Sequence, residues 1–183
     1  MADLTTWTKV KAALDLEDAQ QTEAERFIAV ASDRAEHYTS RVLAASDLTM
    51  QYDGNGKKLL MLNSWPVNSV TSVHVDQELE FGDETEVEDY KVREDIGAIY
   101  RRAGWPAGES NIQVVANVGY SDIPEDLEES IIQLVGYWIE SPQVGWISNG
   151  NAENGNYQTR YIGAGDLPFQ VRQVWDLYRK VHV

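Results

Sequence analysis

Between Tyr52 and Asp76 the chain reads YDGNGKKLLMLNSWPVNSVTSVHVD, short apolar runs separated by turn chemistry. Asp53-Gly54-Asn55-Gly56 tolerates positive φ and stands between Leu48–Tyr52 and Leu59–Leu62, so it predicts a tight hairpin. Trp65-Pro66 ends the second strand, because proline cannot donate to a ladder. Asn68-Ser69 leads into Val70–Val75, with Val73 and Val75 on one face and Ser72 and His74 on the other. The run predicts an antiparallel meander, and it carries no catalytic residue set.

Helices are expected on both sides of this β-rich stretch. Thr5 or Thr6 can cap a first helix ending near Leu14, with Trp7, Val10 and Leu14 at helical spacing. Thr22 and Glu25 have capping-box spacing for a longer helix whose apolar stripe runs through Phe27, Ile28, Ala31, Ala35, Tyr38 and Val42. Its charged residues Glu25, Arg26, Asp33, Arg34 and Glu36 read as a solvated face. Val87–Arg93 and Ala98–Arg101 suit a second hairpin turning at Asp95-Ile96-Gly97. Ile112, Val114, Ala116 and Val118 alternate with Gln113, Val115 and Asn117, the pattern of a half-buried strand. Pro124 suits the first turn of a helix whose early acids oppose the positive end of its dipole. Leu127, Ile131, Leu134, Val135 and Trp138 stripe that helix as far as Ser141-Pro142. Leu167-Pro168 opens a last helix with Val171, Val174, Trp175 and Tyr178 on one face. The fold class is therefore α+β: one domain over 1–183, with terminal helices (1–47 and 121–183) packed as a small bundle and a β-rich meander insert at 48–120.

Two stretches lack periodicity. Asp76–Asp89 carries eight carboxylates and no cation, so Asp83, Glu84, Glu86 and Glu88 are expected on a solvated loop or on an exposed docking arm. From 143 to 166 the chain is rich in Asn and Gly and reads as a long flexible loop. Trp146 and Ile147 stand in that loop with Tyr157 and Tyr161, aromatic and apolar residues suited to anchoring an interface.

Composition excludes several function classes. A chain of 183 residues buries roughly 70% of its unfolded surface, enough for a core without staples. There are no cysteines, so disulfides, thiolate metal sites and cysteine nucleophiles are ruled out, and a reducing compartment is allowed. No window approaches a membrane span, and the Met-Ala-Asp-Leu start has neither a basic region nor an apolar core, so a secretory signal is not expected. Fifteen basic against 30 acidic residues give a net charge of −15, the wrong sign for specific nucleic-acid binding. His37, His74 and His182 lie on separate elements without metal-ligand spacing, and no cofactor is expected. Lys57 and Ser64 occupy positions where a calcium loop starting at Asp53 needs oxygen ligands. Gly163 and Gly165 lack the lysine of a phosphate cradle, and no nucleophile elbow is present. Carboxylates are too abundant for any pair to mark an acid–base couple.

The order of these motifs resembles the head–tail connector (adaptor) proteins of long-tailed bacteriophages. The resemblance is carried by the helical N-terminal forty residues, DGNG at 53–56, WPVNSVTSV at 65–73, GWPAG at 104–108, VGY at 118–120 and two closing helices. It spans Thr5–Asp76 and Ala98–Lys180, while Glu78–Asp89 and Asn149–Tyr157 depart from the pattern. It implies a structural virion protein of the neck, assembled in the host cytoplasm as a homo-oligomeric ring, a dodecamer. Such a ring binds the portal, meets a stopper or tail-completion protein, and lets DNA pass without specific binding and without a membrane partner. It further implies that the terminal helix, with Arg172, Trp175, Arg179 and Lys180, grips the portal; from the residues alone this helix also reads as core packing with cations near its C-terminal end. Rival readings are a stopper or tail-completion role, a carbohydrate-binding β-module using exposed aromatics, and a two-carboxylate glycosidase.

Overall fold

The computed structural model describes residues 2–140, 147–150, 157–160 and 167–179, the two short internal stretches by their backbone. The chain forms two compact units, one from Met1–Thr39 with Pro124–Arg179 and the other from Ser40–Ile123. As the sequence predicts, the fold is mixed α+β with terminal helices.

The first unit is the helical bundle. Helix α1 (Trp7–Leu14) follows Thr6, which sits at the cap position without making a side-chain capping bond. Thr5 instead donates its hydroxyl to Glu128 at 2.9 Å. Helix α2 (Gln21–Thr39) is entered through a 3-10 turn at Asp18–Gln20, and the Gln20 side chain accepts the Glu17 N–H at 3.1 Å. The expected Thr22/Glu25 box is therefore not the cap, because the preceding turn has already started the helix; Glu25 accepts from the Gln21 side chain instead. Ser40, at φ 56°, ends α2, which leaves Val42 beyond the helix. Glu36 also departs from expectation: of the five charged residues assigned to the solvated face it alone is buried.

Helix α3 (Glu125–Glu140) carries Glu125, Asp126 and Glu128 in its first turn, as its dipole favours. Leu127, Ile131, Leu134 and Val135 are fully buried, each worth roughly 1.5–3 kcal/mol of burial. Trp138 meets Phe27 of α2 at a ring separation of 5.6 Å. Helix α4 (Phe169–Tyr178) turns Val171 and Trp175 into the same core.

The second unit contains two three-stranded antiparallel sheets. The strands are β1 (Ser46–Gly54), β2 (Leu59–Met61), β3 (Val67–Val75), β4 (Tyr90–Arg93), β5 (Ala98–Arg101) and β6 (Gly108–Val118). Their orders are β1-β6-β3 and β2-β5-β4, so the expected meander is not formed. Strand β6 is the reason. Its residues Ile112, Val114, Ala116 and Val118 are buried as their alternation predicts, and it takes β1 on one side and β3 on the other. Strand β2 has only three residues and pairs with β5 across Leu60 and Ile99. The hairpin expected at Ala98–Arg101 does form, with β4 and β5 joined by a 3-10 turn ending at Gly97 in the left-handed region.

Asp53-Gly54-Asn55-Gly56 is a turn, with Gly56 at φ 73°, but it clamps distant chain instead of closing a hairpin. The Gly56 N–H donates to Trp105 O at 2.8 Å, and the Trp105 N–H to Lys57 O at 2.9 Å. Asn111 accepts the Gly54 N–H at 2.8 Å and donates to Pro106 O at 3.0 Å. Asp53 accepts the Ser110 N–H at 2.7 Å. A Cβ on Gly54 would fall 1.7 Å from Pro106 O, so only glycine permits this approach.

Candidate assembly surfaces

The acidic segment is exposed, as its charge predicts, yet its backbone is held at several points. Asp76 accepts N–H groups from Glu78, Glu80 and Phe81 at 2.9–3.0 Å. These donors, Glu78 foremost and then Phe81, hold its carboxyl below the usual aspartate range. The fold they wind places Leu79 and Phe81 at φ 62° and 52°. A 3-10 turn follows at Asp83–Thr85, and the Val87 N–H donates to Val73 O at 2.8 Å. His74 stands against this turn, its Nδ1 3.3 Å from both Gly82 O and Thr85 Oγ1. Asp83, Glu84, Glu86 and Glu88 are all exposed. Burial, and after it the charges of Glu86 and Glu88, push the Tyr90 phenol upward.

Helix α4 divides cleanly. Trp175 is fully buried: its ring lies 5.7 Å from that of Tyr38 and its indole N–H donates to Ser130 Oγ at 2.9 Å. That burial removes Trp175 from any contact surface and makes it the anchor of the helix. Arg172 and Arg179 are exposed, with the Arg179 guanidinium 5.9 Å from the Tyr38 ring centre. Phe169 and Leu177 are 72% and 79% exposed, so the outer side of α4 is apolar as well as basic. Lys180 lies outside the described residues.

The stretch expected as an unstructured loop contains a two-stranded antiparallel ribbon, β7 (Ile147–Gly150) with β8 (Tyr157–Arg160). Ile147 pairs with Arg160 and Gly150 with Tyr157. Strands of four residues rich in Asn, Ser, Gln and Thr show little alternation, which is why periodicity missed them. Trp146 and Tyr161 lie outside the described residues.

An open groove of about 620 Å³ runs between α1, α3 and α4, over Leu14, Gly136 and Val171. Its polar lining is Gln133, Tyr137, Glu140, Gln170 and Gln173, with Glu140 the one carboxylate among them. Among the described residues no group of three or more His, Asp or Glu side chains is arranged to hold a metal, and no helix is long and apolar enough to cross a membrane. His37 sits over its own helix, 2.9 Å from Asp33 O, and His182 is outside the described residues.

Two structural residues escaped sequence reasoning. Asn111 is 1% exposed and holds the Gly54–Pro106 clamp; its only sequence signal was a polar residue opening an apolar strand. Arg41 is 6% exposed, with its guanidinium 3.9 Å from the Trp65 ring centre and 5.5 Å from that of Tyr120, and it donates to Trp65 O. A lone arginine after a helix carries no signal of such stacking.

The described surfaces thus combine exposed charge with exposed apolar side chains. The chain belongs to the head completion protein family, whose profile matches residues 3–181. The resemblance to head–tail connectors therefore holds. Among solved structures, the chain is similar to one described as "Virion of native gene transfer agent (GTA) particle", with TM-score 0.63 and 19% identity over 100% of this chain and 96% of that one. It is also similar to "Neck of empty GTA particle computed with C6 symmetry", with TM-score 0.61 and 20% identity over 89% and 80% of the two chains. A third is "Neck of native GTA particle computed with C12 symmetry", with TM-score 0.57 and 20% identity over 100% and 96%. No curated protein sequence matches.

Proposed function

We propose that this chain is a structural protein of the neck of a phage-like particle, a connector whose copies form a twelve-membered ring on the portal. The ring extends the DNA channel and gives the next neck or tail protein a platform. The observation that carries this reading is the head completion match over residues 3–181, which includes both helical ends and the β-rich middle. Likeness along the full chain to neck and virion structures, one computed with twelvefold symmetry, supports it further.

The mechanism is geometric and makes or breaks no covalent bond. Identical contacts repeated around a ring sum to a stable collar although each is modest. The net charge of −15 suits a passage that must not retain DNA, since carboxylates within about 8 Å of a phosphate still repel it at physiological salt. Arg172 and Arg179 on the outer side of α4, followed by Lys180, supply the cations for the portal contact.

Electron microscopy of the protein mixed with purified portal tests this directly. The expected result is a collar of twelve copies capping one end of the portal. Persistent lack of association, or a collar that instead binds only the tail side, overturns it.

A further inference from the structure

The outer face of the β2-β5-β4 sheet carries an apolar patch rimmed by cations. Leu59, Tyr100 and Lys91 stand in register across the three strands, while Leu60, Ile99 and Val92 pack toward the core. Lys57 lies two residues before β2 and Arg102 directly follows β5, so both stand at the ends of these strands. Leu59 is 37% and Met61 54% exposed. The Arg101 N–H donates to Lys58 O and the Leu62 N–H to Gly97 O, both at 2.8 Å. That phase points the peptide groups of Leu59 and Met61 away from β5, out of the sheet's open edge. Lys57, Lys91 and Arg102 are exposed, and among the described residues none has a carboxylate partner.

The complementary chemistry stands on the β3–β4 connection. Leu79 is 50% exposed and lies among the exposed acids Glu78, Glu80, Asp83 and Glu84. Among the described residues none of these four has a cationic partner. Within a chain Asp89, at the end of the acidic connection, accepts from Arg101 of the basic sheet at 2.7 Å.

We propose that the Leu79 loop of one copy docks on the Leu59–Met61 face of the next copy. Leucine then meets an apolar patch, and four carboxylates meet a rim of cations. Unlike surfaces meeting in this way make a heterologous contact, the kind that closes rings, whereas a two-fold contact through either surface alone sets like charges together. The inference rests on the ring reading above and names the contact that builds the ring.

The chain has no cysteine, so Met61→Cys and Leu79→Cys introduce the only thiols, both at exposed positions. Mixed and oxidised, the two singly substituted proteins are expected to link as one of each, and the doubly substituted chain to link into a ladder. Reversing the rim with Lys57→Glu, Lys91→Glu and Arg102→Glu is expected to raise the half-assembly concentration about tenfold or more. Reversing the loop with Glu78→Lys, Glu80→Lys and Glu84→Lys should do the same, and mixing the two reversed chains should restore assembly by alternation. Rings that form without the cross-link, or with unchanged stability after either reversal, overturn this contact and leave the ring reading standing. A parent chain that assembles neither alone nor on the portal overturns both.

Discussion

Trp175 and Ser130 join α4 to α3 through a buried hydrogen bond of 2.9 Å, the indole donating and the hydroxyl accepting. Ser130 in turn donates to Leu127 O at 2.6 Å, so the serine relays the bond into the backbone of α3. Ser130→Ala strands a buried indole N–H and is expected to cost about 1–3 kcal/mol. Trp175→Ala empties the core position as well and should cost about 3–5 kcal/mol. Urea unfolding of the three proteins measures both, and equal stability of all three contradicts the assignment.

The exposed cations of the same helix should behave in the opposite way. Arg172→Glu with Arg179→Glu is expected to shift Tm by no more than about 2 °C, because both side chains lie in solvent. Portal binding measured by co-sedimentation should nonetheless fall about tenfold or more. Unchanged binding removes α4 from the portal contact. Deleting the whole helix cannot answer this question, since it also removes Val171 and Trp175 from the core.

Gly54→Ala should be among the most damaging single-methyl additions in the chain. The added carbon meets the carbonyl oxygen of Pro106 at 1.7 Å, a backbone atom that cannot rotate away. Asn111→Ala removes the side chain that bonds both partners of that clamp and is expected to cost about 1–3 kcal/mol. Calorimetry should show both substitutions lowering Tm, with Gly54→Ala lowering it further.

Acid should loosen the Leu79 loop. The ionised Asp76 carboxylate is the form that accepts the three N–H groups, and they hold its folded pKa down. Its contribution is therefore complete above the unfolded value of about 3.9 and is lost as pH falls through the lower folded value. NMR titration should place the Asp76 midpoint below that of an ordinary aspartate. The amide protection of Glu80 and Phe81 should fall with it, whereas protection independent of pH would refute the link.

Neutralising Asp83, Glu84, Glu86 and Glu88 together, by Asp→Asn and Glu→Gln, should leave the fold intact. All four are exposed, and they oppose one another across a short stretch. Circular dichroism should give a Tm within about 2 °C of the parent. A large drop would place a structural role on one of them.

What was legible in the sequence was whatever a residue reports about its own surroundings. The alternation from Ile112 to Val118 and the α3 stripe from Leu127 to Val135 record burial directly, and the structure buries those same residues. Strand partnership is not recorded that way. Asp53–Gly56 has chemistry equally suited to closing a hairpin or gripping remote chain, and the choice falls to Pro106 and Asn111 about fifty residues on. Likewise, the run Asp76–Asp89 looks formless as a string of acids, because its order comes from one carboxylate that turns back on its own backbone. Trp175 was correctly placed on an apolar stripe, and that placement already argued against offering its ring to a partner.

The bundle is assembled from two pieces of chain, Met1–Thr39 and Pro124–Arg179, with the β unit encoded between them. On the ribosome α1 and α2 emerge long before α3 and α4, while Ser40–Ile123 has all its strands available before translation ends. Birth order thus favours a finished β unit waiting on an unfinished helical one, whose apolar flanks stay uncovered until α3 and α4 have been made. A nascent chain stalled near Ile123 should accordingly show protected strands and helices still open to proteolysis.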